Sequence, residues 1–246
     1  MSIGSTADWK GLREAGRIVR ETLDALAEMA RPGVSTGELD RAAARIFARN
    51  GARSAPALVY GFPGTVLVSI NDEIVHGVPG ERPLSAGDVV KLDVTVEKNG
   101  YVTDAAKTVV LDGGSDTAVR LTACAEAAFE RALDAARADR PVSDISRAIE
   151  QEVLGQGFAV VDGLCGHGVG RTIHEPPTVP NRYLRTQRDR LTEGLVIAIE
   201  PMICSGSGRI VEGTDGWTIR TADGSLAAHY EHTVVITRGR PLLFTA

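Results

Sequence analysis

Leu84-Ser85-Ala86-Gly87-Asp88-Val89-Val90-Lys91-Leu92-Asp93 lines up without gaps against Leu191-Thr192-Glu193-Gly194-Leu195-Val196-Ile197-Ala198-Ile199-Glu200. In both, a glycine turn leads into an apolar run of strand character that ends on a carboxylate. Asp93 and Glu200 therefore occupy equivalent places. Further out, Val34-Ser35 through Leu39-Asp40-Arg41-Ala42 resembles Val142-Ser143 through Ile145-Ser146-Arg147-Ala148. Two diverged halves of one α+β domain, roughly 8–112 and 113–246, account for both repeats, and each half alone is small for a stable core. Chance similarity over such short stretches is the competing reading.

The segments between these repeats follow helix and strand periods. Leu12, Ala15, Val19, Leu23, Leu26 and Met29 recur at helical spacing before Pro32-Gly33 stops the run. Ser35-x-x-Glu38 is a capping box opening a second helix, with Asn50-Gly51 as its stop. After the turn-rich Tyr60 to Gly64, Val66-Val68-Ile70 and Ile74-Val75 flank Asn71-Asp72 as an expected short hairpin. Val89 to Val96 and Tyr101 to Leu111 form a longer hairpin around Asn99-Gly100. Helices are then expected from Asp116 to Ala138 and, capped by Ser143, through Leu154. Strands are expected at Phe158 to Val161, Leu195 to Ile199, Trp217 to Thr221 and His232 to Thr237, with a Pro- and Arg-rich stretch between Glu175 and Arg190.

The net charge of -5 gives no electrostatic reason to expect nucleic acid or an anionic membrane as partner. No run approaches the roughly 20 apolar residues of a membrane span, and Met1 to Asp8 carries no basic and apolar leader pattern, so a cytoplasmic location is expected. Cys124, Cys165 and Cys204 are scattered without C-x-x-C spacing and read as reduced thiols.

Carboxylates interrupt the apolar strands. With a two-residue turn at Asn99-Gly100, Asp104 opposes Thr95 and lies diagonal to Asp93 on one face; a four-residue loop places the two acids directly opposite, and a three-residue loop separates their faces. Like charges so placed destabilise a sheet unless a cation joins them, although an exposed edge hairpin with solvated acids also fits this pair alone. Glu200 ends one apolar run and Glu231 begins another, and Lys91 and Lys107 are too few to neutralise four buried acids. His76, His167 and His174 each sit in turn- or glycine-rich surroundings. Imidazole with carboxylate suits Mn, Fe, Co or Zn, and the lack of cysteine argues against a closed structural zinc site. Gly33-Val34-Ser35-Thr36-Gly37 matches a nucleophile-elbow pattern but follows a helix break, and Gly166-His167-Gly168-Val169-Gly170 lacks the strand–turn–helix context of a dinucleotide loop.

Asp93 and Asp104, Gly166-His167-Gly168-Val169-Gly170-Arg171, His174-Glu175, Ile199-Glu200-Pro201-Met202 and Tyr230-Glu231-His232-Thr233 together resemble type I methionine aminopeptidase, as does Ser69-Ile70-Asn71 through Val75-His76-Gly77-Val78-Pro79. The resemblance spans nearly the whole chain. It implies the pita-bread fold, two pseudo-symmetric αβ halves around a central antiparallel sheet, in the short form without an amino-terminal zinc-binding extension. It also implies two divalent metal ions, one held by Asp104, His167, Glu200 and Glu231, the other by Asp93, Asp104 and Glu231. Glu200 is then expected to accept the proton of the attacking water, His174 to meet the substrate carbonyl, and His76 to contact the substrate backbone. The substrates implied are N-terminal peptide segments of nascent proteins, with ribosome association and a monomeric state as further expectations. Of the residues that line the family's methionine pocket, Phe62 and Trp217 match, whereas Pro56 and Leu67 replace cysteines, Val59 a tyrosine, and Ile173 an aromatic or methionine. Methionine preference is therefore less strongly implied than the metal ligands, because the pocket wall selects the first side chain. A same-fold aminopeptidase of other preference, or a non-catalytic peptide-binding relative, are the rival readings; the latter commonly lacks ligands that this chain retains.

Overall fold

A computed structural model describes residues 1–246. In chain order the elements are α1 (Thr6–Met29), α2 (Thr36–Asn50), β1 (Arg53–Ser54), α3 (Ala55–Tyr60), β2 (Leu67–Ile70), β3 (Glu73–Val75), β4 (Val89–Lys98), β5 (Tyr101–Val110), α4 (Asp116–Ala135) and α5 (Ser143–Gly155). There follow β6 (Ala159–Val160), β7 (Cys165–Gly168), β8 (Glu175–Pro180), β9 (Val196–Ile199), β10 (Met202–Cys204), β11 (Ile210–Glu212), β12 (Ile219–Thr221), β13 (Ala227–His229), β14 (Glu231–Val235) and β15 (Leu242–Leu243). No helix is long and apolar enough to cross a membrane.

Local chemistry sets the helix ends. Ser5 accepts from the Asp8 amide at the start of α1, and Ser115 caps α4 in the same way. Both halves of the Ser35/Glu38 capping box are present, and Gly51 closes α2 in the left-handed region. The expected cap at Ser143 does not form. The N-cap is Val142, itself in the right-handed helical region and without a side-chain bond, because a turn over Pro141 to Asp144 runs straight into α5. The short helix α3 was not among the expected elements; Ser54 caps it and Pro56 sits in its first turn.

The main sheet runs β1-β4-β5-β14-β9-β7-β8, with β2 joined to β4 and β15 to β14. Its centre is the β5–β14 pair. On one side β4 leads to β5 through Asn99-Gly100, both at positive φ (52° and 79°), the geometry a two-residue hairpin turn requires. On the other side β9 is the antiparallel partner of β14. The strands that begin with the aligned repeats, β4 and β9, thus flank the central pair symmetrically. The expected hairpin of β2 with β3 is not a strand pair: β2 joins β4, whereas β3 leaves the turn to pair with β12.

Helices α1 and α2 pack against one another, with α1 lying across β4 and β5, while α4 packs on α5. Their apolar faces supply two clusters, one drawn from Ala15 to Leu111 and including Leu26, Phe47 and Leu92, the other from Leu121 to Ile236 and including Phe129, Ile149 and Ile197. The clusters cover the helix side of the sheet and leave its other face to the polar residues described next.

Candidate metal centre

Strand register brings the acids together. Asp93 on β4 opposes Ala106 on β5, and Ala106 opposes Glu231 on β14, so one row across three strands carries a carboxylate at each end with only a methyl group between. Asp104 precedes Ala106 by two residues and so shares its face. It opposes Thr95, as the two-residue turn requires, and Thr95 Oγ1 donates to Asp104 Oδ1 at 2.9 Å. Glu200 follows Ile199, which pairs with His232, and so stands beside Glu231 at the end of the same row. His167 on β7 pairs with Ala198, two residues from Glu200.

β7 and β8 were not expected as strands, and the glycines of Gly166-His167-Gly168 explain why. A Cβ at Gly166 would lie 2.5 Å from the Ala198 carbonyl oxygen, and one at Gly168 would lie 2.2 Å from that of Pro176. Flanking glycines let β9 and β8 close on β7 and seat the imidazole between them.

His167 Nδ1 lies 2.9 Å from the Gly168 carbonyl oxygen; as donor there, it leaves the Nε2 lone pair facing Glu200 Oε1 at 3.3 Å. Burial, then the nearby His174, pushes the His167 pKa down to about 4, so the ring is neutral. Burial, reinforced by the neighbouring acids, lifts the carboxyls of Asp93, Glu200 and Glu231 well above their ordinary values, and burial lifts that of Asp104 to about 7. No lysine or arginine forms an ion pair with any of the four. Lys91 is buried but donates to the carbonyl oxygens of Asn71 and Val89, at 2.8 and 3.1 Å. Asp93 Oδ1 and Glu231 Oε1 are buried with no partner. Neutral imidazole, crowded acids and orphaned oxygens fit a divalent cation, which would take the lone pairs and offset the repulsion. Ligand atoms of Asp104, His167 and Glu231 lie within 4.8 Å of one another, and so do those of Asp93, His229 and Glu231.

His229 is the residue that the sequence reading passed over. It ends β13, two positions before Glu231, and its Nε2 is 3.6 Å from both Glu200 Oε2 and Glu231 Oε2. The spacing His229-x-Glu231 was the available signal, since alternate strand residues share a face. His232, next to Glu231 on β14, faces the other way and contacts Thr245 and Tyr230.

The carboxylates line a cavity of about 920 Å³. His76 and His174 reach it as well. His76 follows β3 at φ 60°, a conformation costly for a non-glycine residue and one that recurs at functional sites. His174 stacks edge-on to His167, with ring centroids 4.3 Å apart, and its Nδ1 lies 2.5 Å from the Tyr60 hydroxyl. Phe62 meets Trp217 edge to face at 5.2 Å, and with Pro56, Leu67 and Ile173 these rings make an apolar side to the cavity. Val59 does not line it: it lies on α3 and is 53% exposed.

The metallopeptidase family M24 model matches residues 10–238. The methionine aminopeptidase of Clostridium perfringens is 42% identical over 95% of this chain and 94% of its own length, and methionine aminopeptidase 2 of Bacillus subtilis is 39% identical over 100% and 99%. Among solved structures, methionine aminopeptidase from Thermotoga maritima superposes with a TM-score of 0.96 at 31% identity, covering 100% of this chain and 99% of that one. The prolidase of Pyrococcus furiosus shares the fold at a TM-score of 0.81 and 20% identity, with this chain covering 65% of it. The chain therefore belongs to metallopeptidase family M24 and, within it, to the methionine aminopeptidases.

Proposed function

We propose that this protein removes the N-terminal methionine from peptides and nascent chains in the cytoplasm, with two divalent ions held by Asp93, Asp104, His167, Glu200 and Glu231. The observation that carries the reading is the convergence of these five side chains on one sheet face, at the wall of a cavity whose apolar side is lined by Phe62 and Trp217. Asp104 and Glu231 come from the two central strands, with Asp93 to one side and His167 and Glu200 to the other, so all five would be able to hold the ions between them.

The bound ions would supply Lewis acidity, polarising the scissile carbonyl and lowering the pKa of the attacking water. Glu200 takes the proton of that water, from the cavity wall where it stands beside His167 and Glu231. His174 donates from Nε2 to the substrate carbonyl oxygen as negative charge develops there, with Tyr60 fixing the ring through Nδ1. His76, held at positive φ in the same cavity, meets the substrate backbone. The first side chain enters between Phe62, Trp217, Leu67 and Ile173, which fit an unbranched apolar group such as methionine.

The test is a set of peptides identical except for the first residue, offered to the protein loaded with Mn or Co. Methionine peptides are expected to be cleaved fastest. Rapid cleavage of another class beside intact methionine peptides would move the chain to the same-fold rival with a different preference.

A further inference from the structure

His229 is 1% exposed, and neither ring nitrogen has a hydrogen-bond partner. An imidazole deep in a core without partners is a poor structural choice, because an apolar side chain of similar volume would fill the space without loss of hydration. Its backbone is held firmly: the amide donates to Thr108 Oγ1 at 2.9 Å, and the same hydroxyl donates to the His229 carbonyl oxygen at 2.7 Å. The ring is therefore placed by β5, the strand that carries Asp104.

What it faces is specific. Nε2 stands 3.6 Å from Glu200 Oε2 and 3.6 Å from Glu231 Oε2, just beyond hydrogen-bond reach of both. The other oxygens of these acids look elsewhere: Glu200 Oε1 toward His167, and Glu231 Oε1 toward no protein partner at all. Between two carboxylate oxygens an N–H is attracted, whereas a lone pair is repelled. From this we infer that His229 is a positioning residue of the metal centre: its Nε2–H is shared by the rear oxygens of Glu200 and Glu231 and turns their front oxygens toward the ions. Glu200 then meets the N–H of His229 at Oε2 and the lone pair of His167 at Oε1, and the second contact is repulsive until a cation lies between the two atoms. The inference rests on the metal-centre reading and adds a sixth residue to it.

The test titrates metal-free parent, His229→Leu and His229→Gln proteins with Mn or Co by calorimetry, and records the visible spectrum of each Co-loaded form. Outer partners of metal ligands typically change affinity by about 10–100-fold. His229→Leu is expected to bind more weakly on that scale with an unchanged Co ligand-field band pattern, and His229→Gln, whose amide still donates, to recover most of the affinity. Parent-like affinity in His229→Leu overturns the inference while leaving the metal centre intact; a parent that binds no ion overturns both. Equal weakening in the two variants, or an altered Co spectrum, makes His229 a ligand rather than a positioning residue and equally overturns the assignment. If His229→Leu does not fold, nitrogen NMR of the Zn-loaded parent decides: a protonated Nε2 is expected, and a metal-bound, unprotonated Nε2 refutes it.

Discussion

Replacing Asp104 by Asn tests whether the acids are held together against their own repulsion. Asp104 is 5% exposed, and burial raises its pKa from the ordinary 3.8 to about 7, against smaller lowering by the Thr95 hydroxyl and the Ala105 amide. A carboxyl whose pKa is higher in the folded than in the unfolded chain favours the fold while protonated. That stability is fully present below about 4, where both states are protonated and parent and variant differ least, and it is lost as pH rises from there through about 7. A shift of about three pH units corresponds to about 4 kcal/mol, as an upper limit, since one unit is about 1.4 kcal/mol. Asn keeps the shape and can still accept from Thr95, but it cannot ionise. In chelator at pH 8, the Asp104→Asn protein is therefore expected to be more stable than the parent, with Tm higher by up to roughly 8–16 °C for a chain of this size. The gap should close by about pH 4, and saturating Mn or Co should reverse the order, because Asn lacks the charge with which Asp104 is proposed to hold the ions. Thermal unfolding at the two pH values, with and without metal, reads all three effects. A variant less stable than the metal-free parent at pH 8, or a gap independent of pH, would refute the reasoning.

Three kinetic expectations follow from the proposed roles. Glu200→Gln and His174→Ala should each keep the fold yet lose at least about a hundredfold in turnover, read in peptide-release assays beside circular dichroism; parent-like rates would remove these residues from the mechanism. Tyr60→Phe deletes the hydroxyl at His174 Nδ1 and should lower kcat about five- to tenfold with little change in KM, the scale of one hydrogen bond; an unchanged kcat would show that Tyr60 does not orient the ring. With Leu67 and Ile173 in the wall, methionine should remain the preferred first residue, but its kcat/KM margin over leucine should narrow, since apolar pockets resolve a methylene by only about 1–3 kcal/mol; a preference for alanine would contradict the pocket assignment.

The sequence carried most of the sheet centre because its signals there are local. Asn99-Gly100 specifies a turn type, the turn specifies the register, and the register places Asp104 opposite Thr95, so a dipeptide predicts where two carboxylates point. The alignment of Asp93 with Glu200 reappears as β4 and β9 flanking the central strands. What escaped depends on partners distant in the chain. β7 has almost no strand character of its own; two glycines make it a strand only because β8 and β9 press on it. β3 departs from the expected hairpin because β12, far along the chain, offers it a ladder. Ser143 looked like a cap, but Pro141 starts a turn that leaves its hydroxyl without that task. Val59 looked like pocket wall by position, yet α3 turns it to solvent. His229 was passed over although His229-x-Glu231 put it on the face of an expected ligand; its second neighbour, Glu200, is distant in the chain and reaches it only through the fold.

Release of methionine from a methionine-initiated peptide, followed as metal is returned to thoroughly chelated protein, tests the central claim most directly. The account predicts no release from the metal-free protein and recovery as Mn or Co fills sites that need Asp104 and Glu231, with no recovery when either is replaced by Ala. Full hydrolysis in the chelated sample, or restored activity in the Ala variants, would contradict it.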